Sequence, residues 1–348
     1  MKTNVLSKNI KNIFLSNGFD MVGFTKAKDI PDFNFLKNWI SNNNHAEMKY
    51  LEDERRQQNI KKLNLNFQSV ISCAINYNTI DKNINSKSSK ENNKAWISRY
   101  ALIDDYHKII NKKLKSLMEL IKLDYCEEIN YKIYVDTGPL LERAYSYQSG
   151  LGWFGKNSCL INKDLGSWFF ISEVLINKKL EYDQPVKDMC GSCTKCIDSC
   201  PTGAIVDNKK IDANKCISYL TIENKNIIPS NFLKKIGNNI YGCDICQEVC
   251  PWNSKKAKIK NNFNWNLRDF FVSPELDKIL QLIETQWDEV KIKSPIKRAK
   301  KRGFLRNILI AMGNSKNSYY KPKVQKYLKS DDKILATTAK QAILLMES

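Results

Sequence analysis

Near the N-terminus, Val5, Ile10, Ile13 and Phe14 keep to one face of a helical repeat that stops at Gly18, and the apolar run "DMVGFT" follows directly. This predicts a helix closed by a glycine and then a strand, the opening of a mixed unit. The apolar runs "SVISCAINY" from Ser69 and "SWFFISEVLI" from Ser167 predict strands, and "YKIYVDT", which ends near Asp136, predicts a shorter one. Between them "DYHKIINKKLKSLMELIKL" places Ile109, Ile110, Leu114, Leu117, Met118 and Ile121 at the three-and-four spacing of an amphipathic helix. "LLERAYSY" reads as a short helix, "QSGLGWFGKNS" as a glycine-rich connection and "NINSKSSKENNKA" as a polar loop. Residues 1–184 are thus expected to form one α+β domain.

The periodicity then lapses. Residues 185–255 carry cysteines and short turns in its place, so bound metal is expected to supply the order of a separate small module. From 256 to 348 a basic, Asn-rich linker leads to "FLRNILIAMGN" and "VQKYLKSDDKILATTAKQAILLM", which predict amphipathic helices. One face carries Phe304, Ile308, Leu309 and Met312, and the other carries Ile334, Ala339, Ala342, Ile343 and Met346.

Composition sharpens this outline. The 348 residues suit two or three cores, the hydrophobic fraction of 42% is ordinary, and no stretch reaches a membrane span. "MKTNVLSKNIKNIF" lacks the apolar core of a signal peptide, so a soluble, cytoplasmic protein with no membrane partner is expected, acting as a monomer. Lys and Arg number 56 against 37 acids, a net charge of +19, enough to attract a polyanion such as nucleic acid, although a Lys- and Asn-rich composition also arises from genome base bias.

Eight of the eleven cysteines lie between Cys190 and Cys250, which favours reduced thiols holding metal over disulfides. The other three, Cys73, Cys126 and Cys159, read as ordinary buried thiols. Zinc sites generally space two C-x2-C pairs widely, whereas Cys190, Cys193, Cys196 and Cys200 run as C-x2-C-x2-C-x3-C-P, the bacterial ferredoxin pattern. In that pattern three thiolates hold one 4Fe-4S cluster and the fourth reaches another. "YGCDICQEVCPW" supplies the second set and Cys216 completes eight. One cluster is therefore assigned Cys190, Cys193, Cys196 and Cys250, and the other Cys200, Cys216, Cys243 and Cys246.

Two linked clusters move single electrons and imply an acceptor in the first domain. No Gly-x-Gly-x-x-Gly turn follows an early strand, and two histidines, His45 and His107, are too few for a histidine-rich site; His107 is assigned a packing or surface role. Asp136 ends an apolar strand before Thr-Gly-Pro. Two readings stay open for it, a proton donor or a cap for the following helix.

"VDTGPLLERAYSYQSGLGWFGKNSCLI", "SRYALIDDYHK", "CGSCTKCIDSCPTGAI", "CISYLTIE" and "IYGCDICQEVCPWN" together resemble the epoxyqueuosine reductase family across almost the whole chain. The resemblance implies a nitroreductase-like domain that binds cobalamin without a histidine on cobalt, a two-cluster ferredoxin-like module and a HEAT-like helical tail. It implies reduction of epoxyqueuosine to queuosine at the wobble position of tRNA, the last step of queuosine biosynthesis, with electrons passing from an unidentified reducing donor through two 4Fe-4S clusters to cobalamin. By the same resemblance Asp136 is the proton donor and also contacts the cofactor. Further cofactor contacts are Arg56 (or Gln57, since "RQQN" replaces the family's Arg-x-Asp-Pro), Ser98, Leu160, Ile171, Ser218 and Asp244. The basic run Lys291, Lys293, Lys297, Arg298, Lys300, Lys301, Arg302 and Arg306 becomes a phosphate-tracking surface, with Lys297, Arg298, Lys301 and Arg302 assigned to tRNA. The rival reading is a reductive dehalogenase-like cobalamin enzyme acting on a small molecule. A rival of another class is a non-catalytic electron carrier or RNA-binding iron-sulfur protein, in which Asp136 only caps the helix.

Overall fold

The structure, a computed structural model, describes residues 3–53, 66–78, 92–125, 128–257 and 263–348. Arg56, Gln57, Cys126 and most of the polar loop at 83–95 lie outside the described residues.

Helix α1 (Thr3–Ser16) turns its apolar stripe inward and ends as the glycine spacing predicts. Gly18 takes φ +86°, the Phe19 amide reaches back to the Phe14 carbonyl, and the two rings pack 5.2 Å apart. Strand β1 (Met21–Lys26), helix α2 (Asp32–Ser41), strands β2 (Ser69–Asn76) and β3 (Trp96–Ile97), helix α3 (Tyr106–Tyr125), strand β4 (Tyr131–Tyr134) and helix α4 (Glu142–Gln148) follow. A hairpin of β5 (Trp153–Phe154) and β6 (Leu160–Ile161) leads into β7 (Phe169–Ile176). The main sheet runs β1-β2-β7-β4, every pair antiparallel.

All eight residues of β2 are buried because both faces are covered. Ile71, Cys73 and Ile75 meet α1 and α3 through Ile10, Phe14, Ile110 and Leu114, while Val70 and Ala74 face Ala144, Tyr145 and Leu160 on the other side. The two-residue side-chain period of a strand thus serves two cores at once, which is why the run reads as continuously apolar.

The cysteine-rich stretch holds short elements: α5 (Lys195–Asp198), β8 (Ile205–Asp207), β9 (Lys210–Ile211), α6 (Ile217–Ile222), α7 (Ser230–Ile236), β10 (Asn239–Tyr241) and α8 (Ile245–Glu248). The tail comprises α9 (Leu276–Val290), α10 (Lys300–Asn314), α11 (Lys321–Gln325) and α12 (Lys333–Glu347). The second predicted tail helix is therefore two. Asp332 ends the interruption by accepting from the Ile334 and Leu335 amides as an N-cap. Residues Gly303 to Gly313 of α10 are buried on every side, so α10 is a central helix where the sequence suggests an amphipathic one.

The three segments share cores. Ala95, Ile97 and Leu102 pack with Tyr241 and the tail, β10 pairs with β3 in parallel, and Trp265 packs into the first domain's core. Arg306, 1% exposed, donates to the carbonyls of Leu220, Asn224 and Asn226. Its neighbour Asn307 donates to those of Thr221 and Ile240. No helix among the described residues is long and apolar enough to cross a membrane.

Candidate active site and iron-sulfur centres

Asp136 lies just beyond β4, where the chain turns sharply. Its φ of +60° is a left-handed conformation that a residue with a Cβ adopts at a cost, and the Thr137 amide closes on the Val135 carbonyl at 2.6 Å. Glu142, in the first turn of α4, accepts from the Asp136 amide at 2.7 Å and so holds the turn. The helix starts after Leu141, which makes no side-chain cap bond; Asp136 is not its cap. The carboxylate is turned instead to the start of α3. Tyr106 donates to its Oδ2 at 2.7 Å, and His107 Nε2 stands 3.3 Å from the same oxygen.

His107 is the residue that sequence reading assigned to packing. Its Nδ1 lies 2.6 Å from Asp105 Oδ1, and Lys297 Nζ lies 2.5 Å from Asp105 Oδ2. A chain of charges Lys297–Asp105–His107–Asp136 therefore joins the tail to the turn. Burial works against a charged imidazole, but hydrogen bonds and charge from Asp105 and Asp136 overcome it and hold His107 up at about 9. Asp136 is exposed, with 60% of its side chain solvent-accessible. Surrounding protein raises its pKa, yet His107, Tyr106 and Arg143 bring it below the ordinary carboxylate value. At neutral pH the pair thus holds a carboxylate beside an imidazolium. The signal for this was "DDYH" at the head of α3, an acid two residues before a histidine, but nothing local ties it to Asp136.

The ten described cysteines are free thiols. Electrostatic proximity sorts the eight clustered ones into two sets: Cys196 and Cys250 each lie near Cys190, and Cys250 also near Cys193, while Cys200, Cys243 and Cys246 are each near Cys216. A cavity of about 220 Å³ is lined by Cys190, Cys193, Cys196 and Cys250, with Lys156, Met189 and Trp252 around it. No three described His, Cys, Asp or Glu side chains converge on a single ion. Amides of Ser218 and Tyr219 donate to Cys216, and those of Thr202, Ala204 and Ile205 to Cys200, the contacts that favour a thiolate. Cys73 is buried as expected. Cys159 is half-buried beside the ligand sets, its thiol pushed up to about 12 by burial.

The remaining residues fall into groups. Ser98 and Asp244 are together: Asp244 accepts from the Arg99 amide at 2.9 Å and from Ser98, and burial raises its carboxyl to about 6. Leu160 and Ile171 share one apolar cluster with Phe169. Ser218 stands beside Cys216 on α6. The basic run is largely committed within the chain. Lys297 pairs with Asp105, Arg298 with Glu223 at 2.7 Å, Lys291 with Asp288, and Lys301 donates to the Glu284 carbonyl. Arg302 lies 3.8 Å from Asp332, and Arg306, assigned to the surface run, is buried.

Eight cysteines clustered between Cys190 and Cys250, in a chain whose first domain holds a strained acid paired with an imidazole, mark an iron-sulfur oxidoreductase. Residues 189–253 match the family described as a 4Fe-4S double cluster binding domain, and residues 57–137 match that described as epoxyqueuosine reductase QueG, DUF1730. An epoxyqueuosine reductase of Aliivibrio fischeri is 40% identical over 329 residues, spanning 91% of this chain and 86% of that one. The chain belongs to the epoxyqueuosine reductase family. A crystal structure of such an enzyme with an epoxyqueuosine-modified tRNA stem loop superposes with a TM-score of 0.89 at 29% identity, covering 99% of this chain and 91% of that one. A Bacillus subtilis structure whose catalytic Asp loop is swung out of the active site gives 0.88 at 29% identity, covering 98% and 90%.

Proposed function

We propose that this chain reduces epoxyqueuosine to queuosine at the wobble position of tRNA, the last step of queuosine biosynthesis. The observation that carries the reading is the Asp136 turn, a strained acid with a protonated imidazole behind it in a chain of this family. The division proposed is a nitroreductase-like cobalamin domain at 1–184, a two-cluster ferredoxin-like module at 185–255 and a HEAT-like tail at 256–348. The protein is taken to be cytoplasmic and monomeric, reduced by a donor still to be identified.

The donor set fits a cobalamin without an imidazole on its metal: His107 has both ring nitrogens engaged, and His45 is buried against Glu52. Ser98, Leu160, Ile171, Ser218 and Asp244, with Arg56, would hold it. When bound, cobalamin supplies low-potential electrons from a cobalt centre that the two clusters keep reduced. The chain's own residues manage protons. Converting an epoxide to an alkene takes two electrons and two protons and releases water. His107 holds the first proton at rest and Asp136, a carboxylate, relays it to the departing oxygen, while the second comes from solvent. Tyr106, whose burial holds it far above its ordinary value, keeps its proton and orients the carboxylate.

Replacing Asp136 with Asn keeps the turn's size and removes the acid. Turnover of epoxyqueuosine-containing tRNA should fall at least about 100-fold with iron content unchanged. Turnover within a factor of a few of the parent enzyme would end this assignment. A non-catalytic carrier, with Asp136 as a cap, predicts no turnover in either protein. A small-molecule dehalogenase would turn over organohalides and leave the tRNA untouched.

A further inference from the structure

A cavity of about 780 Å³, open to solvent, lies between α3 and the β4 turn. One end is His107 with Val135 and Thr137, the residues on either side of Asp136. From there it runs along α3 past Lys108, Asn111, Lys112 and Lys115 to Ser116, a rise of about 13 Å, with Lys132 across it on β4. Lys108, Lys112 and Lys115 recur at i, i+4 and i+7, so they form one stripe, and all three are exposed, as is Lys132. The opposite face of α3 is buried through Ile110, Leu114, Leu117 and Ile121, which fixes the stripe toward solvent. None of these four lysines forms an ion pair with a described carboxylate.

We infer that this groove is a phosphodiester track, binding the RNA strand next to the nucleoside that reaches Asp136. The inference rests on the reading of a tRNA substrate. A nucleoside brought to Asp136 carries its own phosphates with it, and this groove is lined by the residues on either side of that acid and by His107, which bonds it. In the tail Lys297 and Arg298 are paired with Asp105 and Glu223, whereas no carboxylate among the described residues pairs with the α3 stripe. Lysines with no base-reading partner give affinity and register without sequence preference.

The test uses the full chain with a fluorescent unmodified tRNA anticodon stem loop, measuring dissociation constants from 50 to 300 mM salt. One variant carries K108E, K112E and K115E. A control carries K8E, K37E and K179E, exposed lysines away from the groove, with the same change in net charge. The groove variant should bind about tenfold or more weaker at 0.1 M salt, with a salt slope shallower by about 2 as three phosphate contacts are lost, while the control changes much less. Equal weakening in both variants, or an unchanged slope in the groove variant, overturns the track and leaves the substrate reading standing. Failure of the unmutated protein to bind the stem loop at all overturns the substrate reading, and the track with it.

Discussion

At the residue scale, the chemistry rests on two side chains that share an oxygen. His107 is raised above its ordinary value, so it keeps its proton through neutral pH and gives it up only near pH 9. Turnover should therefore fall as pH rises through about 9, and a pH-rate profile of H107Q should lack that alkaline limb at a lower plateau. A limb unchanged in H107Q would assign it to another group. The linkage has the same sign: a raised folded-state pKa gives stability that is full below about pH 6.5 and lost as pH climbs through about 9. Glu173 shows that burial alone makes no catalyst. Its carboxyl is fully buried between Ser72 and Ser146, pushed well above its ordinary value, and by accepting from both hydroxyls it ties β7 to β2 and α4.

At the scale of elements, the cysteine turns were legible because their chemistry is local. Cys190, Cys193 and Cys196 lie within seven consecutive residues, and the residue that Pro201 follows is directed to the other cluster. Replacing Cys193 with Ser should remove one cluster and replacing Cys216 with Ser the other, each leaving about four irons by elemental analysis and different spectra for the survivor. Loss of both clusters from either variant, with the fold intact, would contradict two separate quartets. What stayed illegible depends on distance along the chain. Asp105, His107, Asp136 and Lys297 carry no mutual spacing, and a histidine two residues into a long helix reads as surface until β4 is placed beside it. Helix α9 was missed although Leu276, Ile279, Leu280 and Ile283 keep a helical period, because the basic, Asn-rich stretch before it reads as linker. The cap reading of Asp136 gave way for a similar reason, since the turn at +60° detaches it from the helix it precedes.

Across the whole molecule, the tail is bound to the rest by buried polar bonds as much as by apolar packing. Arg306 has no described carboxylate partner and neutralises carbonyls at the end of α6, where a cation is favoured. R306A should cost on the order of 3 kcal/mol by leaving those carbonyls without a donor, read as a lower denaturant midpoint. An unchanged midpoint would show that the docking is apolar. Reversing Lys297 to Glu breaks the pair with Asp105, so this change should lower turnover through His107 as well as any effect on RNA, and a binding assay alone would misassign it.

The central claim is met most directly by one anaerobic experiment. The chain is reconstituted with iron and sulfide, given cobalamin and a strong reductant, and incubated with epoxyqueuosine-containing tRNA, whose nucleosides are then weighed by mass spectrometry. The account predicts loss of one oxygen from the nucleoside, dependent on cobalamin. Both clusters intact, cobalamin bound and the nucleoside unchanged in mass would contradict it.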